Sequence, residues 1–64
     1  MKPVAVVLAE EVAVLKGPNI NYPEAFKVHE GLKVKLGEQV EDWRQVWLDN
    51  GLNGYVPQSD LGEI

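Results

Sequence analysis

The amino-acid sequence predicts an all-β domain, a small barrel of five or six short strands with one 3₁₀ turn near the C-terminus. Three observations lead there. Apolar residues come in short alternating blocks. Turn-forming groups recur between the blocks at near-regular spacing, as at Gly17-Pro18, Glu30-Gly31 and Asn50-Gly51. With 64 residues and no cysteine, one hydrophobic core must hold the chain without disulfides or a thiolate metal site. Residues 1–64 read as one domain, expected to be a module cut from a larger protein.

The elements follow in order. Val4 to Leu8 and Val12 to Leu15 are apolar runs separated by Ala9-Glu10-Glu11. Ala, Glu, Leu and Lys also suit a helix, but the density of valine and the Gly17-Pro18 breaker favour two strands. Gly17 to Pro23 has turn formers and no period, so it reads as a long irregular loop stiffened by two prolines. From Ala25 to His29 the chain alternates, with Phe26 and Val28 on one face and Lys27 and His29 on the other. After the Glu30-Gly31 turn, Leu32, Val34 and Leu36 are expected to face inward and Lys33 and Lys35 outward. Glu38 to Asp42, with three acids, reads as a hairpin tip. Trp43 opens the next strand, with Val46 and Leu48 pointing in. Asn50-Gly51 suits a tight hairpin, Asn53 to Pro57 is its returning strand, and Gln58 to Leu61 fits a single 3₁₀ turn.

Charge excludes one class of partner. The net charge is −4, and Lys2, Lys16, Lys27, Lys33, Lys35 and Arg44 are scattered among more numerous acids. Nucleic acid needs clustered cations, and Lys33 with Lys35 reads as a solvated edge. No apolar stretch approaches a membrane span and no signal peptide precedes the first strand, so no direct membrane insertion is expected. Missing cysteines fit a reducing or an oxidising compartment equally.

Catalysis finds no support in the residues. His29 is the single histidine and there is no thiol. Nucleophilic catalysis needs a nucleophile beside a positioned base, and a metal site needs three or more convergent ligands. Neither set exists, so no enzyme activity, cofactor or metal is expected. The pairs Glu10/Glu11 and Glu41/Asp42 are adjacent on turns and read as solvated.

The aromatic side chains are the better lead. Trp43, Trp47, Tyr22 and Tyr55 are large amphipathic groups on a small surface, and each either completes the core or meets a ligand. Strand alternation puts Trp47 on the face opposite Val46 and Leu48, largely outside, as an interaction patch.

The run of segments "VLKGP", "HEGLKVKL", "DW", "VWLDNG" and "GYVPQSDL" resembles the bacterial Src-homology-3-like (SH3b) domains over Val4 to Leu61. Gly17-Pro18 matches the Gly-Pro that starts the long loop, and Gly31 the turn glycine before the central strand. Trp43 matches the tryptophan after the hairpin tip. Gly54-Tyr55-Val56 matches Gly-Trp-Val, with tyrosine in place of tryptophan. The order is also similar to the C-terminal domain of some tetratricopeptide-repeat proteins of the aerotolerance type. The chain departs at Ala13-Val14-Leu15, where Asn-Val-Arg is usual, and at Trp47, where a polar residue is common. Leu61 replaces the tyrosine that ends the related eukaryotic motif of proline-peptide readers.

The resemblance implies an SH3-like barrel that binds without catalysing. The expected ligand is a cell-envelope peptide or glycan of peptidoglycan, held by Trp43, Tyr22, Tyr55, Pro57 and Asn19. The alternative is a spacer or protein-interaction module that docks on another domain of its parent chain, such as helical repeats, through Trp47. A location in the cell envelope or periplasm is implied on the same ground.

Overall fold

A computed structural model describes residues 3–63 of the chain, so Lys2, counted above among the scattered cations, lies outside the described residues. Seven strands form one antiparallel sheet among them: β1 (Val4–Val7), β2 (Glu11–Leu15), β3 (Glu24–His29), β4 (Lys33–Val40), β5 (Trp43–Trp47), β6 (Asn53–Pro57) and β7 (Leu61–Glu63). A 3₁₀ turn, Gln58–Asp60, joins β6 to β7. The strand order is β3-β2-β6-β5-β4-β1-β7. The small all-β barrel, its SH3-like layout and the 3₁₀ turn stand as expected. The extra strand is β7, three residues that pair with β1 directly after the turn.

Alternation builds the core. Ala5 and Val7 of β1, Val12 and Val14 of β2, and Val34 and Leu36 of β4 point inward with Val28, Val46, Val56 and Leu61. Each is at most 8% exposed. The core is therefore almost wholly valine and leucine, side chains whose branching suits a pleated, buried strand face. Of the five aromatic residues of the chain, none is in it. Phe26 and Leu48 pack against its margin. β2 and β6 approach so closely that Gly54 has no room for a side chain, since a Cβ there would stand 2.7 Å from the Leu15 carbonyl oxygen and closer still to Val14.

Three local expectations are corrected. Glu38–Asp42 is not a hairpin tip: β4 runs on to Val40, and only Glu41 and Asp42 form the turn, with Glu41 at φ 54°. The β4–β5 register slips between Leu36/Val46 and Gln39/Arg44, so Gly37 and Glu38 together oppose Gln45. This is a β-bulge, and it absorbs the residues that read as a loop. Leu32, expected inside, is 38% exposed: it lies just before β4 begins, with its carbonyl accepting the Val7 N–H, and its side chain is not covered as those within the strand are. The Asn50-Gly51 turn is not a two-residue hairpin. The Gly51 N–H donates to the Leu48 carbonyl (3.0 Å), the Leu48 N–H to the Leu52 carbonyl (2.8 Å), and Gly51 alone takes positive φ (89°). That is a three-residue turn with Gly51 at its left-handed position.

Candidate functional site

Directly opposed residues in an antiparallel ladder point to the same side of the sheet, so the register reads out the outer face row by row. Val40, Trp43 and Pro57 form one row. Gln45, Tyr55 and Leu15 form the next. Lys35, Trp47 and Asn53 form the third. Trp43 and Trp47 stand at opposite ends of the outer side of β5, and Tyr55 lies diagonally between them, about 7–8 Å from each by sheet geometry. The sequence reading treated Trp43 and Trp47 as separate sites; they share one continuous surface.

The side chains on that surface are partly covered. Trp43, Trp47, Tyr55, Pro57 and Leu15 are all half-buried. Trp47 lies low because of the bulge. Gly37 presents no side chain there, and a Cβ on it would stand 3.0 Å from Trp47 Nε1 and 2.6 Å from Gln45 Oε1. The indole and the carboxamide occupy the space a larger residue would take. The ladder groups freed by the bulge find side-chain partners: the Glu38 N–H donates to Gln45 Oε1 (3.4 Å) and Arg44 Nε–H to the Gly37 carbonyl (3.0 Å). Gln45 thus closes the bulge from the outer face and Arg44 from the other.

Each end of the surface is framed by a different segment. At the Trp43–Pro57 end, the Gln58 N–H donates to the Asp42 carbonyl (2.8 Å), tying the 3₁₀ turn to the β4–β5 tip. At the other end, β2 leaves its pairing at Leu15–Tyr55 in the direction of Asn53, because the strands are antiparallel. The Gly17–Pro23 loop therefore starts beside the Asn53–Trp47 row. Its base is closed by the Lys16 N–H on the Pro23 carbonyl (3.0 Å). The Asn19 side-chain oxygen accepts the Asn21 N–H (2.8 Å), so Asn19 holds the loop's shape. The Tyr22 ring lies over Gly17, where a Cβ would stand 2.5 Å from ring carbons, and the residue stays 49% exposed.

The residues expected to form one groove are thus distributed along the surface. Trp43 and Pro57 are paired at one end, Tyr55 is central, and the loop bearing Asn19 and Tyr22 springs from the end that Trp47 occupies. Among the described residues no enclosed pocket is present, so a ligand would lie on the surface. Leu15, Val40 and Gln45 belong to the same rows and were missed in the sequence. Carrying the alternation one step each way from Gln45 would have put both tryptophans on one side.

His29 is far from this arrangement in chemistry. Its side chain is 72% exposed, with Nε2 3.2 Å from Glu11 Oε2, and the same Glu11 approaches Lys27 Nζ at 3.9 Å. These are cross-strand surface contacts between β2 and β3. No three His, Cys, Asp or Glu side chains converge among the described residues.

A family model described as bacterial SH3 domain matches residues 9–63. No curated protein matches the chain.

Proposed function

The chain belongs to the bacterial SH3 domain family, and from that premise we propose that it binds a cell-envelope ligand, a peptide or glycan strand of peptidoglycan, along the Trp43–Tyr55–Trp47 surface. Domains of this family are generally non-catalytic binding modules that engage peptides or other proteins. The observation that carries the proposal is where the aromatic residues sit. The core is filled by valine, leucine and alanine, while both tryptophans and Tyr55 are aligned outside it.

Aromatic faces suit such ligands. They give large contact area at low conformational cost and keep a polar edge for hydrogen bonds. From Trp43 to Trp47 the surface is about 13 Å long, four residues at about 3.3 Å each. That length takes about four residues of extended peptide. Gln45 supplies an amide group between the two tryptophans and Asn53 one beside Trp47, and the absence of an enclosed pocket among the described residues suits an extended chain better than a compact molecule. The proposed location, envelope or periplasm, follows from the ligand.

A titration of the isotope-labelled domain with soluble peptidoglycan fragments tests this. Shifts centred on Trp43, Tyr55 and Trp47, including the indole N–H signals of the two tryptophans, are expected, with smaller ones at Tyr22. Shifts restricted to β1 or β3, or none at millimolar fragment, would overturn it.

A further inference from the structure

The segment matched by the family model begins at Ala9 and so leaves out β1. Ala5 and Val7 of that strand fill the core, and the opposite side carries Val4, Val6 and then Leu8. An antiparallel strand with one solvated face alternates apolar-in with polar-out. β1 has no polar side chain on its outer face. Toward β4 this stripe is flanked by Lys35 and Lys33, the ladder partners of Val4 and Val6. Toward β7, Val6 is paired with Gly62, and Leu8 lies across it: a Cβ on Gly62 would stand 3.0 Å from Leu8 Cδ2. Leu8 is 54% exposed and Val4 36%. Among the described residues neither lysine is in an ion pair. The surface is an apolar stripe with two ammonium groups along one side, and on the other side Leu8 lies over Gly62.

We propose that this face docks an amphipathic helix of a protein partner, one with carboxylates along one flank of its apolar stripe. β1 is paired on both sides, by β4 and β7, so no backbone is free for an added strand and only the face is available. Sheet faces are covered by helices or by other sheets. Val4 to Leu8 spans about 13 Å, the length of about nine helical residues. Lys33 and Lys35 lie about 7 Å apart along β4, and carboxylates four residues apart on a helix rise about 6 Å. With a net charge of −4, the domain is repelled by an anionic lipid surface, while two local lysines attract a local pair of acids. This proposal does not depend on the ligand at Trp43.

The test uses two synthetic helix-forming peptides of roughly eighteen residues, five turns. Both carry leucine along one stripe; one has glutamate along its flank and the twin has lysine. Each is titrated into the labelled domain. The glutamate peptide is expected to shift Val4, Val6, Leu8, Lys33 and Lys35, and to bind at least about tenfold tighter than its twin. Lys33→Glu with Lys35→Glu should reverse that preference. Lys33→Gln with Lys35→Gln should abolish it. Leu8→Glu, at an exposed site, should remove binding while the spectrum stays folded. Equal affinity for the two peptides, no binding of either, or shifts at Trp43 and Tyr55 instead would overturn the proposal. Self-association of the domain that Leu8→Glu abolishes, or stronger binding to anionic phosphatidylglycerol vesicles, would name another occupant and overturn it as well.

Discussion

The Nε–H of Arg44 donates to the carbonyl oxygen of Gly37 at 3.0 Å, across the β4–β5 ladder where its register slips. A bulge leaves backbone groups without ladder partners, and an unmade buried hydrogen bond costs more than a made one gains. Arg44 satisfies the Gly37 carbonyl from one side of the strand, and Gln45 takes the Glu38 N–H from the other. Adjacent residues of β5 thus hold the bulge in register, and the bulge in turn sets how deep Trp47 lies.

Arg44→Ala is expected to destabilise the domain by about 2 kcal/mol, the range for a hydrogen bond with a charged partner. For a domain of this size that lowers the melting temperature by roughly 10 °C. Arg44→Lys keeps the charge but loses the Nε–H, and should recover less than half of the loss. Thermal melts of the three proteins check this; a melt unchanged in Arg44→Ala would show that the bulge does not need the guanidinium.

Gly37→Ala pushes a methyl into the space shared by Gln45 Oε1 and Trp47 Nε1, 2.6 and 3.0 Å from the added carbon. Both are ends of movable side chains, so the fold gives way there at a cost of about 1 kcal/mol. The indole should lift toward solvent. In a Trp43→Phe background, acrylamide quenching of Trp47 should rise and its emission move to longer wavelength. Quenching that stays the same would mean that another contact fixes the indole.

These two residues show where the sequence was legible and where it was not. Alternation through Val4-Ala5-Val6-Val7, Val12-Ala13-Val14 and Val34-Lys35-Leu36 marks strand and core face together, because a side-chain period of two is a local property. The positions of Gly51, Pro57 and the 3₁₀ turn were equally local. The bulge was not. Glu38, Gln39 and Glu41 look like loop residues, and only the partner strand, with Arg44 and Gln45 placed to fill the gap, keeps them in a ladder. Trp43 and Trp47 share a face by simple alternation, so that much of the site was readable. The row that includes Leu15 depends on β2 meeting β6 across the fold, with Gly54 making room, and no short-range pattern carries it.

His29→Gln should leave stability within about 0.5 kcal/mol, as at ordinary surface sites. Its contact with Glu11 is between side chains 72% and 51% exposed, and exposed pairs contribute from about nothing to 1 kcal/mol. Lys27 remains beside the same carboxylate. Denaturant melts decide it, and a loss of several kcal/mol would mean that the β2–β3 pairing depends on the imidazole.

Trp43→Ala should separate binding from folding. The indole is half-buried at the first position of β5, between Val40 and Pro57, and does not enter the core. Val46, three residues on, is 1% exposed and packed inside. Truncating a fully buried aliphatic removes transfer energy and leaves a cavity, so Val46→Ala should cost about 2 kcal/mol or more. Trp43→Ala loses only the covered part of a large ring, about 1 kcal/mol by area, and a domain with several kcal/mol of stability survives it. Affinity should respond in the opposite order. Losing an anchoring aromatic at a binding surface costs about 2 kcal/mol, about thirtyfold. Peptidoglycan fragments should therefore bind Trp43→Ala at least about tenfold more weakly, and bind folded Val46→Ala nearly as well as the parent. Melting curves and binding isotherms on the same samples give both quantities. If Trp43→Ala unfolds while Val46→Ala does not, the indole is a structural support and the surface loses its first anchor.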